Sequence, residues 1–118
     1  MSVCLLVAGS PLALATGLFT LTWTHSVEKT QWQETWEARG AALYLTEARV
    51  KGSGAGMDPG PGARLLDGWW VWQPDVDTPA LALANSGATG GDWRLCADGA
   101  CRTLGAALPD PIHLRPCG

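Results

Sequence analysis

The stretch TQWQETWEARGAALYLTEARV, Thr30 to Val50, decides the fold, because it reads either as a helix with its stop or as two strands of a hairpin. Thr30 and Gln33 have the spacing of a capping box, Trp32 and Trp36 lie four apart, and Gly40 could end a helix. The rival is a strand that turns near Arg39-Gly40 and returns as LYLTEARV, Leu43 to Val50. The strand reading is preferred, since it explains where the returning strand starts without a long connection. In the simplest register Trp36 meets Leu43, Glu34 meets Leu45 and Trp32 meets Glu47. Glu34 and Glu47 would then share one face.

Period two extends outward from this hairpin. In LFTLTWTHS, Phe19, Leu21, Trp23 and His25 take one face while Thr20, Thr22, Thr24 and Ser26 take the other. β-branched Thr at alternate positions suits a pleated strand. GWWVWQ, Gly68 to Gln73, is a short apolar strand, and weaker strands are expected at 80–84, 93–97, 101–104 and 112–115. No clean helical stripe exceeds ten residues. The fold class is therefore all-β: a single compact antiparallel sandwich or partly open barrel of about eight to ten short strands, one domain over residues 1–118.

The N-terminal SVCLLVAGSPLALATG reads in two ways. It resembles a signal h-region with Ala13-Leu14-Ala15 as cleavage site, but it has no Lys or Arg before the apolar run, and Ser10-Pro11 interrupts it. The preferred reading is a hairpin, Val3 to Ala8 and Leu12 to Ala15, around Gly9-Ser10-Pro11.

Charge and composition exclude several functions. A net charge of −3 with no Lys/Arg cluster removes the counterion-release drive toward nucleic acid. No apolar run approaches the ~20 residues of a membrane-spanning helix, so the chain is not expected to span a membrane. Seven Trp beside one Phe and one Tyr make Trp the main large side chain available to a core.

Four cysteines are present. LCADGACRTL reads as a hairpin turning at Asp98-Gly99, which sets Ala97 against Ala100 and Cys96 against Cys101, near enough for a disulfide. Cys4 and Cys117 could tie the two ends of the chain. Either bridge needs an oxidising compartment, so a periplasmic or envelope location goes with disulfides and a cytoplasmic one with free thiols. A metal is not expected, because C-x4-C lacks a second ligand pair at usual spacing.

Chemistry-bearing residues concentrate in WTHSVEKTQWQETWE, Trp23 to Glu37, and in the glycine-rich run that follows Lys51. His25, Glu34 and Glu47 could form a polar pocket among Trp side chains, or a buried network that fixes strand register. Glu28 or Glu34 could orient His25 toward Ser26 in a hydrolase, yet adjacent residues on a strand face opposite ways and no G-x-S-x-G elbow exists. His113 is isolated in sequence from other candidate ligands. Gly52, Ser53, Gly54 and Gly56 could present backbone N–H groups as an anion nest with Lys29, Arg49 or Lys51 nearby. The alternative is a turn that only requires positive φ. The run is neither a dinucleotide fingerprint nor a P-loop, and no cofactor is implied.

HSVEK (His25 to Lys29), QETWE, EARVKGSGAGM (Glu47 to Met57), GWWVWQ and NSGATGG occur here in order. Together they resemble the DUF1850 family, small bacterial proteins of unknown function. Members are often encoded beside TRAP-type transporters of the TAXI subclass. The resemblance implies an accessory or binding protein linked to solute uptake, with a small anion or a transporter component as partner. A small hydrolase or lyase using His25 and Glu34, and a purely structural partner subunit, are the alternatives.

Overall fold

The computed structural model describes residues 2–7, 10–14, 17–24, 31–51, 62–83, 93–97, 99–104 and 112–117. These residues hold twelve strands and no helix: β1 (Ser2–Val7), β2 (Ser10–Leu14), β3 (Leu18–Thr24), β4 (Gln31–Arg39), β5 (Ala42–Lys51), β6 (Arg64–Leu66), β7 (Trp69–Trp72), β8 (Val76–Thr78), β9 (Leu81–Leu83), β10 (Trp93–Ala97), β11 (Ala100–Leu104) and β12 (Ile112–Cys117). The total exceeds the expected eight to ten because of β6 and β8, three-residue pieces that bury no side chain, unlike the equally short β9, which buries Leu83.

All pairings are antiparallel, and they form two sheets. One has the order β2-β1-β12-β9; the other has eight strands, ordered β11-β10-β3-β4-β5-β7-β6, with β8 also paired to β5. The far edge of β5 is thus shared: β8 takes Leu43 to Leu45 and β7 takes Ala48 to Lys51. β1 and β2 form the expected hairpin, with Val7 opposite Ser10 and Pro11 opposite Leu6. Pro11 is tolerated there because β2 is an edge strand, whose outer N–H groups need no ladder partner.

The inner faces meet as a sandwich. Val3, Leu5, Leu83, Ile112 and Leu114 of the small sheet pack with Phe19, Leu21, Trp36, Ala38, Leu43, Leu45, Leu95 and Leu104 of the large one in a single buried cluster. Alternation in β3 follows the expected faces: Phe19 and Leu21 are buried, while Trp23 is half-buried against the cluster edge. Residues 31–39 are strand, not helix, since alternate positions must serve two environments across β3 and β5 at once.

The register of the decisive hairpin differs from expectation. Arg39 pairs with Ala42, Ala38 with Leu43 and Trp36 with Leu45, around a two-residue turn at Gly40-Ala41. Gly40 has φ 61°, whereas Arg39 and Ala41 have no positive φ. A turn centred on Arg39-Gly40 would have pushed the arginine toward the left-handed region; moving the turn one residue on gives that geometry to glycine. A second shift follows, because Thr35 pairs with Glu47 and Trp36 with Leu45, leaving Thr46 as an extra residue. Thr46 Oγ1 donates to the Thr35 carbonyl at 3.1 Å, which anchors the bulge. Beyond it Trp32 meets Val50 and Glu34 meets Ala48, not the expected Glu47 and Leu45.

Both expected disulfides are present. Cys96 pairs with Cys101 across β10–β11, with Cα atoms 4.0 Å apart, and Cys4 bonds Cys117 across β1–β12 with Cα atoms 5.6 Å apart. Val3 and Leu5 flank Cys4 and point to the core, so that bridge lies on the outer face of its sheet.

Candidate functional site

The bulge in β5 decides which candidate residues meet. Before Thr46, Leu43 and Leu45 are buried; after it, Ala48 and Val50 are buried. The extra residue inverts the alternation, so Glu47 falls on the outer face beside Arg49. Glu34 stays on the inner face, opposite Leu21 and Ala48. The expected joint face for Glu34 and Glu47 is therefore overturned by one inserted residue. His25, Ser26, Glu28, Lys29, Gly52, Ser53, Gly54 and Gly56 lie outside the described residues.

On the inner face Glu34 sits beside a row of tryptophans. Trp23 stacks on Trp32 at 6.1 Å and 9°, tilts against Trp93 at 4.8 Å, and Trp32 meets Trp72 edge-on at 6.1 Å. Trp36 Nε1 donates to Glu34 Oε1 at 3.1 Å. Burial raises the Glu34 pKa above the ordinary carboxylate value, and the Trp36 hydrogen bond, which favours the charged form, only partly offsets it. A carboxylate held this way, among apolar rings and already bonded, is suited to fixing register.

The outer face of the large sheet has different chemistry. A row of register partners crosses six strands: Arg94, Thr22, Gln33, Arg49, Val71 and Arg64. It carries three arginines and no acid. Glu47 lies two residues from Arg49 along β5, and Arg49 Nη2 donates to Glu47 Oε2 at 2.9 Å. The Arg49 guanidinium is also 5.8 Å from the centre of the Trp69 ring, and Lys51 Nζ is 5.7 Å from it. Arg49 Nε is buried and meets no acceptor among the described residues.

Beside this pair opens a cleft of about 360 Å³, lined by Glu47, Gly62, Arg64, Leu66, Val71, Trp72 and Gln73. That volume falls within the range of small-molecule sites, roughly 300–1,000 Å³. Val71 is its apolar floor, 7 % exposed, with Arg64 directly across the ladder. The Glu47 charge is answered by Arg49, while Arg64 has no acidic partner among the described residues. The cleft therefore carries one uncompensated positive charge.

Arg64 was not among the residues singled out from the sequence. The signal lay in Asp67-Gly68, whose φ values of 51° and 85° are those of a two-residue hairpin turn joining β6 to β7. That turn places Arg64 against Val71. Among the described residues no group of three His, Cys, Asp or Glu side chains could hold a metal ion, and no helix is long and apolar enough to cross a membrane.

Fold and site together define a small, disulfide-bridged antiparallel β-sandwich with an open polar cleft on the outer face of its larger sheet. The family model described as domain of unknown function (DUF1850) matches residues 19–104, and the chain belongs to this family. No curated protein matches the chain. No solved structure matches it either.

Proposed function

We propose that the chain is an accessory binding protein of the cell envelope that serves a TAXI-type TRAP uptake system and takes a small organic anion in the outer-face cleft. The observation that carries this reading is Arg64, a cation without an acidic partner among the described residues, standing over an apolar floor in a cleft of ligand size. A carboxylate there would gain charge-assisted hydrogen bonds, which are stronger than neutral ones. The two disulfides support an oxidising compartment. The link to uptake rests on the genomic company kept by the family. An enzyme built on His25 and Glu34 draws less support, because Glu34 points inward and is bonded to Trp36.

Thermal unfolding of the oxidised protein with a panel of small organic anions tests the reading. A ligand at a hundred times its Kd should add about 2.7 kcal/mol of stability. Absence of any stabilisation, together with failure to co-purify with the components of a neighbouring TRAP system, would remove both parts of the proposal.

A further inference from the structure

We infer that the β6–β7 hairpin docks at an anionic membrane surface, with Leu65 and Leu66 entering the headgroup layer and Arg64 and Lys51 meeting lipid phosphates. This goes beyond the cleft reading, since the partner is a lipid surface and the apolar anchors include a residue outside the cleft. Among the described residues four large apolar side chains are exposed. Two of them, Leu65 at 57 % and Leu66 at 50 %, stand side by side on one three-residue strand.

β6 lies at one edge of the large sheet and β11 at the other, and the two edges are built differently. β11 shows Ala100, Cys101, Arg102 and Thr103 to solvent and buries Leu104. Such an edge suits water, where charged or small side chains discourage pairing with another chain. β6 shows Arg64 and then two leucines. The ladder sends those leucines to opposite faces. Leu65 is level with Trp70 and buried Val50 on the inner side, and Leu66 is level with Trp69 and Lys51 on the outer side. A protein laid against one face would cover one leucine and leave the other wet. A lipid layer surrounds a rim from both faces at once, and this two-sided apolar rim is what selects a membrane.

The neighbours of the rim fit the same partner. Trp69 and Trp70 stand half-buried behind the leucines. Indole combines an apolar ring with a polar N–H, which suits the boundary between headgroups and acyl chains. Arg64 and Lys51 are exposed, and Lys51 Nζ lies 5.7 Å from the centre of the Trp69 ring. The net charge of the chain is −3, so these cations run against its overall sign, and an anionic leaflet attracts them. Asp67, in the turn, is the one acid between Arg64 and Trp72 and opposes docking. The outer edge of β6 has no strand neighbour among the described residues. Its backbone polar groups must stay within reach of water or headgroup oxygens, which limits entry to the headgroup layer.

Flotation of the oxidised protein with vesicles of phosphatidylglycerol and phosphatidylcholine, compared with phosphatidylcholine alone, tests the inference. The protein should float with the anionic vesicles, less so as salt is raised, and weakly with the neutral ones. Leu65→Ser/Leu66→Ser should lower binding about tenfold or more. Circular dichroism should be unchanged, because both side chains are already exposed. Asp67→Asn keeps a residue that tolerates positive φ, removes the opposing charge, and should strengthen binding. Leu65→Ser alone should weaken flotation and leave stabilisation by small anions intact, since Leu65 is not in the cleft lining. The two readings therefore fail separately. No flotation with anionic vesicles, flotation indifferent to the leucine pair, or flotation only with vesicles that carry a transporter component overturns the inference.

Discussion

Glu34 is the residue at which charge and packing conflict most. It stands opposite Leu21 and Ala48, beside the tryptophan row, and its carboxyl titrates above the ordinary range because burial disfavours the ion. A raised carboxyl pKa in the folded state has a definite sign. The folded protein holds the proton to higher pH than the unfolded chain does, so this group costs no stability below the unfolded pKa near 4.5. Stability is lost as pH rises from there through the folded pKa, and the deficit stays constant above it. Glu34→Gln keeps an acceptor for Trp36 Nε1 and removes the charge, so the variant should melt higher than the parent at pH 7 and match it at pH 4. Melting curves across that range check this; a variant that melts lower at pH 7 would mean the ion is stabilising. Trp23, two positions along the same ladder, is the other residue with a measurable share. It contacts Trp32 and Trp93 yet is only half-buried, so Trp23→Ala should cost about 3 kcal/mol, the low end for a core tryptophan. Urea denaturation giving a loss below about 1 kcal/mol would place Trp23 outside the core.

Among the elements, the β6–β7 hairpin controls the cleft. Asp67 and Gly68 both have positive φ, a conformation that Asp tolerates and that glycine takes without steric cost. A Cβ at Gly68 would meet nothing within 4 Å, so the penalty of Gly68→Ala arises from the backbone alone, about 1–2 kcal/mol. Since β6 has only three residues and pairs on one side, much of that penalty should appear as local loosening of Arg64 from Val71. Hydrogen exchange should rise in 64–66 and 69–71 of the variant before it rises in β3 or β4; uniform acceleration would show that the hairpin is not an independent unit. This hairpin also marks the limit of what the residues disclose on their own. β3 is legible because Thr alternates with apolar side chains, β7 because it is a short continuous apolar run, and β10 and β11 because a turn at Asp98-Gly99 sets Cys96 against Cys101. β6 and β8 are not, since they are short and bury no side chain that would mark a face. Glu47 falls on the other face because the bulge at Thr46 shifts the apolar phase from Leu43 and Leu45 to Ala48 and Val50, and an unbroken period of two from Leu43 does not follow that shift. The position of Glu34 on one face with Trp32 and Trp36 follows from the period of two. The outer-face cleft depends instead on the turn at Asp67-Gly68 and on the bulge at Thr46.

For the molecule as a whole, the two disulfides do unequal work. β1 and β12 come from opposite ends of the chain and are neighbours at the middle of the small sheet. Bringing such distant segments together is entropically slow and costly for an unlinked chain. Cys4–Cys117 closes this contact across a separation of 113 residues, whereas Cys96–Cys101 spans 5 within a hairpin that its turn already favours. In the chain-entropy account the long loop contributes about 4.7 kcal/mol and the short one about 2 kcal/mol. The first figure approaches the whole stability of many domains of this size, about 5–15 kcal/mol. Oxidation state should therefore decide whether the small sheet stays closed, which agrees with the envelope location proposed above. Guanidinium denaturation should show Cys4→Ser/Cys117→Ser losing about twice as much stability as Cys96→Ser/Cys101→Ser. Near-equal losses would mean that the bridges act through native packing of the outer faces and not through the unfolded chain, and the fold would then have no special dependence on an oxidising compartment.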